Sequence, residues 1–427
     1  MKKQSKQKIY WRKLDDQAKV YSLSFNKKDT SIFRLSVVLK EKIDEIILQK
    51  AIEFALVKYE AFKVRMRKGL FWNYFEKNNK SPIVTEEKEY PFKKMNTREN
   101  NDYLFKVTYF DKKINIDYFH TLTDGNGGTE FFKEIIYKYL ELKYKNELTF
   151  TETKEQEILK NSENAYTKNY NKTSNKAYNP PKAYVLKAEE WEDGKLGINH
   201  FNINLEQFKS LSKTKQCTIS ELLTAMLAYS IYEGNYKKNK GKKPVNICIP
   251  INLKKYFPSE TISNFVSYMM VSLNLKNSQN YSFENILEMV KKEFDKKLKF
   301  ERIVETMSSN GKLINNFFVR IVPLVLKRGL VILGSLELKR HFTTTLSNIG
   351  AIQIQEKYEK YIENFFVILS PDWAEKIRCG VCSYKENLIM TFGNVLKESL
   401  IEQNFKELLK INNISFTIDG NKVNIIK

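Results

Sequence analysis

Three histidines occur in the 427-residue chain: His120, His200 and His341. Imidazole is the side chain whose ordinary pKa suits proton transfer near neutral pH. His120 closes a run of β-forming residues, 114–119 (INIDYF), and is followed by Thr121-Leu122-Thr123-Asp124-Gly125-Asn126-Gly127-Gly128. A strand end feeding a Gly-rich loop displays a side chain on a rigid scaffold, and glycines let the backbone pass closely before the next element. A neutral imidazole at such a place is suited to general-base work. His200 lies inside a strand pattern (GINHFNI) and reads as structural. His341 follows Lys339-Arg340 near a helix end, where a protonated ring would complement the dipole. Of the four cysteines, only Cys379 and Cys382 share a CxxC spacing. They sit in a strand pattern (IRCGVCSY), so they read as inert strand residues rather than half a zinc site or a redox pair.

The elements that must position His120 follow from periodicity. Residues 32–39 (IFRLSVVL) read as a strand, and 43–59 as a helix with Ile43, Ile46, Ile47, Ile52, Ala55 and Leu56 on one face. VRM and LFWNYF around Arg67-Lys68-Gly69 predict a hairpin, as do LFKVTYF and INIDYF around Asp111-Lys112-Lys113. A helix is expected over 129–145. Residues 151–196 turn polar and contain Pro180-Pro181, the best candidate for a crossover between domains. The second half restarts with a strand at 198–204 and a helix to about 236, opened by the capping box Thr218-Ile219-Ser220-Glu221. Strands VNICIP and NFVSYMMVSLNL follow, then helices at 282–300, 303–315 and 317–336. The last third is β-rich: ENFFVILS, IRCGVCSY and LIMTFGNV, a helix at 398–411, and a hairpin around Asp419-Gly420-Asn421. Irregular alternation with frequent hairpins predicts mixed sheets with covering helices rather than a doubly wound parallel sheet. The division expected is 1–175, a crossover at 176–196, and 197–427.

Composition narrows the function classes. Hydrophobic residues at 42% and aromatics at 13% are ample for packed cores and exclude a disordered chain. The net charge is +22, yet only 10 of the 72 basic residues are Arg. Nucleic-acid recognition favours the bidentate guanidinium, and the Lys are spread over the whole chain, so no nucleic-acid partner is expected. The N-terminus has basic residues but no apolar core, so it does not read as a signal peptide, and a reducing cytoplasm is expected. Residues 317–338 are the most hydrophobic stretch, but Arg320, Lys327 and Arg328 interrupt it, so it is not a membrane span. It reads as a core-edge helix or, alternatively, as a basic amphipathic helix making peripheral membrane contact.

His120-Thr-Leu-Thr-Asp124-Gly125 resembles the HxxxDG motif of the CoA-dependent acyltransferases, the superfamily with the chloramphenicol acetyltransferase fold. LQKAIEFALVKYEAFKVRMRKGLFWNYFE, IPINLKKYFPSETISNFVSYM and LSNIG at 346–350 are similar to segments of its alcohol acetyltransferase branch. Two features depart from the pattern: Asn252-Leu253-Lys254 stands where the family often has Asn-Leu-Arg, and the DFGWG motif of the plant branch is absent. The resemblance implies an α/β fold of two similar chloramphenicol acetyltransferase-like domains, each a mixed sheet with covering helices, with an active-site tunnel between them. It implies acyl transfer from acyl-CoA, as co-substrate, to a small-molecule hydroxyl or amine acceptor. No metal or other cofactor is implied, and the protein is expected to be a monomer. His120 would be the base. Asp124 would point away from it and hold the loop by pairing with Lys254 or an Arg, and Gly125 would let the loop pass closely. Ser347 and Asn348 would lie near the oxyanion, with Gly350 and Lys254 on the substrate side. Two rivals stand beside this reading: a carrier-protein-dependent condensation enzyme, and a non-catalytic binding protein that keeps the fold.

Overall fold

The computed structural model describes residues 11–24, 31–92, 97–152, 163–169, 180–192, 195–398 and 400–422. The 151–196 crossover and the 176–196 linker are therefore described only in part. The second arm of the terminal hairpin, 423–427, lies outside the described residues.

Two mixed sheets form the frame. The first has five strands in the order Ile362–Leu369, Ile32–Leu39, Lys113–Phe119, Phe105–Phe110 and Val84–Glu86. All neighbours are antiparallel except the last pair. The second has seven strands: Val266–Leu273, Val245–Asn252, Thr344–Ala351, Ile377–Tyr384, Asn387–Asn394, Gly197–Asn204 and Phe416–Gly420. Thr344–Ala351 runs parallel to both its neighbours. A small three-stranded sheet joins Trp11–Lys13 to the hairpin of Val64–Arg67 and Tyr74–Lys77. One strand departs from a division of the chain at 176–196: Ile362–Leu369, from the second half, completes the first sheet beside Ile32–Leu39.

Each sheet is covered by helices that bury an apolar stripe. Asp44 caps the helix Glu45–Lys58 by accepting from the Ile47 amide. The stripe is Leu48, Ala51, Ile52, Ala55 and Leu56, the i, i+3, i+4, i+7, i+8 pattern of one face. This corrects one position of the expected face: Ile46 is 69% exposed because, two residues before Leu48, it falls on the opposite side of the helix. In the second half, the Thr218–Glu221 capping box opens the helix Ile219–Ile231 as its sequence predicts. The apolar stretch after residue 316 is broken: Pro323 separates Phe317–Ile321 from Leu324–Lys339, since proline has no amide to continue a helix.

Two cores result, and the strand Ile377–Tyr384 borders both. Cys379 packs in the second core and Cys382 in the first. Residues three apart on a strand point to opposite faces, so the CxxC spacing brings no pair of thiols together; both cysteines are buried and free. In the first sheet Arg34 lies opposite Asp117 and grips it with two hydrogen bonds of 2.6 and 2.8 Å. A third contact reaches Glu87 at 2.6 Å. A buried fork of this kind fixes the register of the strand that ends in His120, where a one-residue slip would turn every side chain over.

Candidate active site

The strand Lys113–Phe119 delivers His120. Its amide extends the ladder by donating to the Ser31 carbonyl at 2.9 Å, and a tight turn follows in which Leu122 N–H donates to Phe119 O at 2.8 Å. The chain then enters the helix Gly125–Lys143. Asp124 is the N-cap: one carboxylate oxygen accepts from the amides of Asn126 and Gly127, both at 3.0 Å. The other oxygen accepts from the Phe265 amide, in the opposite half of the chain, at 2.8 Å. Among the described residues Asp124 has no basic partner. Lys254, the expected one, is half-buried; its own amide donates to Asn252 Oδ1 at 3.0 Å. The expected ion pair is thus replaced by three backbone donors, which satisfy a buried carboxylate as well as a cation would. Asp124 thus caps its own helix and ties it to the Phe265 backbone.

The segment 262–265 clamps the loop from the second half. Thr123 Oγ1 donates to the Ile262 carbonyl at 2.7 Å. A Cβ on Gly127 would stand 2.3 Å from that same carbonyl, so a side chain there is excluded by close approach. A Cβ on Gly125 would meet Ile349 Cγ2 at 3.1 Å. The strand Thr344–Ala351 therefore lies against the first turn of the motif helix. That strand carries Ser347, Asn348 and Gly350, all half-buried. Gly350, at φ +83°, donates its amide to Asn348 Oδ1 at 2.9 Å, while Asn348 Nδ2 reaches Ser220 Oγ at 3.5 Å. Among the described residues the Ser347 hydroxyl makes no hydrogen bond. The structure thus brings the 346–350 segment to the motif helix from a distant part of the sequence.

The half-buried His120 ring is held on three sides. Tyr21 stacks on it at 4.3 Å between centroids, and Phe33 meets it edge-on at 5.1 Å. Its Nδ1 lies 3.0 Å from Asn264 Oδ1. Asn264 Nδ2 in turn donates to the His120 carbonyl at 3.0 Å and to Asp15 Oδ2 at 3.3 Å. A carbonyl can only accept, so the amide nitrogen of Asn264 must face it, and the amide oxygen must face the ring. An oxygen opposite Nδ1 requires the proton on Nδ1 and leaves the lone pair on Nε2. Burial pushes the His120 pKa below its ordinary value and the charge of Arg378 adds to this. The Asp124 charge, the residue's own carbonyl and Asn264 act in the opposite sense. The ring is therefore disposed to be neutral near pH 7.

Asp15 completes the chain of contacts. It is buried and caps the helix Asp16–Ser24 through a 2.7 Å bond from the Ala18 amide. Burial raises its pKa to about 6, against the opposing effects of Ala18, Asn264 and Arg12. Asn264, Asp15 and Tyr21 carry no motif of their own, and their distance in sequence from His120 hides the contact. The one signal was that Asn264 belongs to the TISNFVSYM segment. The other histidines sit elsewhere. His200 is buried, bonded to Thr391 Oγ1 at 2.8 Å and stacked on Phe366 at 3.8 Å, and its pKa is lowered to about 3 by burial and Lys113. His341 is half-buried just past the helix Leu324–Lys339. A cavity of about 310 Å³ lined by Arg34, Glu87, Phe92 and Asp117 does not include His120.

Solved structures share this architecture at low sequence identity. Trichothecene 15-O-acetyltransferase TRI3 from Fusarium sporotrichioides matches with a TM-score of 0.60 at 10% identity, covering 94% of each chain. TRI101 from F. sporotrichioides, complexed with coenzyme A and T-2, gives 0.62 at 9% identity, covering 95% of this chain and 99% of that one. The first condensation domain of the calcium-dependent antibiotic synthetase gives 0.60 at 10% identity, covering 94% and 96%. These likenesses show the fold: two chloramphenicol acetyltransferase-like domains. No curated protein matches the sequence. The family model described as alcohol acetyltransferase matches residues 168–414, more than half of the chain, and the protein belongs to that family of acyltransferases.

Proposed function

We propose that the protein moves an acyl group, an acetyl group in the simplest case, from a CoA thioester to an alcohol or amine by direct attack, with His120 as general base. His120 Nε2 takes the acceptor's proton as its oxygen or nitrogen bonds to the thioester carbonyl carbon. The carbonyl oxygen becomes an oxyanion, for which the Ser347 hydroxyl and Asn348 are the candidate donors. Collapse of the tetrahedral adduct breaks the C–S bond, and the proton on Nε2 passes to the departing thiolate. The products are the acylated acceptor and free CoA. Lys254 forms no ion pair among the described residues, and with the wider Lys excess it is assigned to attracting the CoA phosphates.

The observation that carries this reading is the contact between Asn264 Oδ1 and His120 Nδ1 at 3.0 Å, which leaves Nε2 as the basic nitrogen. The TRI101 complex with coenzyme A and T-2 supports the substrate classes by analogy of fold. The test is release of free thiol from acetyl-CoA and longer acyl-CoAs against a panel of alcohols and amines. The parent should turn over, and His120→Ala should lose ~10²–10⁴-fold while remaining folded. Turnover of His120→Ala within tenfold of the parent removes His120 from the mechanism. Turnover only with carrier-bound thioesters moves the donor to the condensation class.

A further inference from the structure

The helix Leu324–Lys339 is apolar outward as well as inward. A surface helix usually turns its apolar stripe inward and its charges out. Here the buried residue is Lys327. Its Nζ donates to the Phe71 carbonyl at 2.8 Å and lies 3.6 Å from the centre of the Trp72 ring. The outward residues include Val325, Leu326, Leu330 and Leu333, exposed by 83, 65, 63 and 66%. These positions recur at the spacing of one helical face. Leu70 and Phe71 extend the apolar surface, because the Leu324 amide donates to the Leu70 carbonyl at 2.8 Å.

The charges around this face are mainly of one sign. Lys68, Arg320 and Arg328 are exposed and form no ion pair among the described residues. The single acid between 317 and 339 is Glu337, and it is engaged by Lys182 at 2.9 Å and Arg340 at 3.3 Å. A second copy of this chain would set the same cations against each other on a +22 molecule. A surface that is apolar at its centre and anionic at its rim meets both features. No helix among the described residues is long and apolar enough to cross a membrane. The face is also close to the site: the helix packs on Asp16–Ser24, whose Tyr21 stacks on His120.

We propose that the outward face of Leu324–Lys339, with Leu70 and Phe71, docks the protein on an anionic lipid bilayer. The leucines enter the headgroup–acyl boundary, and Lys68, Arg320 and Arg328 meet the phosphates.

The test is co-sedimentation of the full chain with phosphatidylcholine vesicles with and without phosphatidylglycerol. Vesicle binding is read without turnover, so it stands or falls separately from acyl transfer. The parent should bind the anionic vesicles and lose them at high salt. Leu326→Glu/Leu330→Glu/Leu333→Glu should abolish binding with an unchanged circular dichroism spectrum, since all three side chains already face water. Each basic residue near an anionic surface strengthens binding roughly fivefold, so Lys68→Gln/Arg320→Gln/Arg328→Gln should weaken it by ~100-fold. Three results overturn the proposal: no binding of the parent, equal binding to neutral vesicles, or undiminished binding of the triple Glu variant. Lipid-free dimers of the parent that the triple Glu variant no longer forms would also overturn it, by assigning the face to a second copy.

Discussion

Replacing Asn264 with Leu tests the site most sharply. The side chain is close in size and loses three contacts: the His120 ring at 3.0 Å, the His120 carbonyl at 3.0 Å and Asp15 at 3.3 Å. As His120 takes the acceptor's proton it becomes an imidazolium, and the Nδ1–H to Asn264 Oδ1 bond becomes charge-assisted. Such bonds contribute about 1.5–3 kcal/mol, which at about 1.4 kcal/mol per tenfold corresponds to a fall in kcat of ~10–150-fold. The pH profile carries a second signature. The base works only when neutral, so activity is lost as pH falls through the His120 pKa. Asn264 supports the protonated ring, and removing it lowers that pKa further. The acid limb of the kcat/KM profile should therefore move to lower pH while the plateau drops. Loosened packing alone would lower the plateau and leave the limb in place. The measurement is thiol release from about pH 5 to 9 on parent and variant, with circular dichroism as the folding control. A variant within threefold of the parent, or an acid limb that does not move, refutes the assignment of Asn264 as the residue that orients the base.

Three further outcomes are expected. Asp15, raised from 3.8 to about 6 by burial, binds its proton more tightly when folded. Its contribution to stability is complete below about pH 4 and is lost as pH rises through about 6, a change of about 3 kcal/mol; Asp15→Asn should flatten that part of a melting-temperature profile, and a profile already flat in the parent contradicts the buried carboxylate. Asp124→Ala strands the amides of Asn126, Gly127 and Phe265, at about 1–3 kcal/mol for each donor that burial keeps from water, so the protein should melt well below the parent; an unchanged melting temperature with activity lost would make Asp124 a chemical participant instead. Direct transfer needs both substrates together, so initial-rate plots should intersect and acyl-CoA alone should leave the protein's mass unchanged; burial pushes the Cys248 and Cys379 thiols up and Cys382 to about 12, and a stoichiometric acyl adduct would overturn the mechanism.

His120, Asp124 and the glycines after them were legible because a local pattern carries them: strand end, cap, helix. The Thr218–Glu221 box was legible for the same reason. What the sequence hid was long-range. Asn264 reads as one polar residue before an alternating strand, and only packing of the second half on the first sets it against His120. The family resemblance implied a cation as the partner of Asp124, and the sequence does not display which backbone amides a fold leaves free to take its place. Ile46 looked apolar and therefore inward, yet two residues before Leu48 it falls on the far side of the helix from the buried stripe. The 346–350 segment was recognisable by its residues, while its place against Gly125 follows from the order of strands in the second sheet.

The strand Ile362–Leu369 imposes an order on synthesis. Ile32–Leu39 leaves the ribosome early, but its neighbour on that side follows some 330 residues later, about 15–65 s at ~5–20 residues per second. During that interval the first sheet presents an eight-residue edge, apolar at all positions but Arg34 and Ser36, with unpaired amides and carbonyls, the kind of template on which other chains add. A fragment ending before residue 362 keeps that edge unpaired, so the first half expressed alone should aggregate. The second half, truncated from the front, carries the complementary orphan strand. Recombining the two as separate polypeptides should restore solubility that neither has by itself, because each supplies the edge the other lacks.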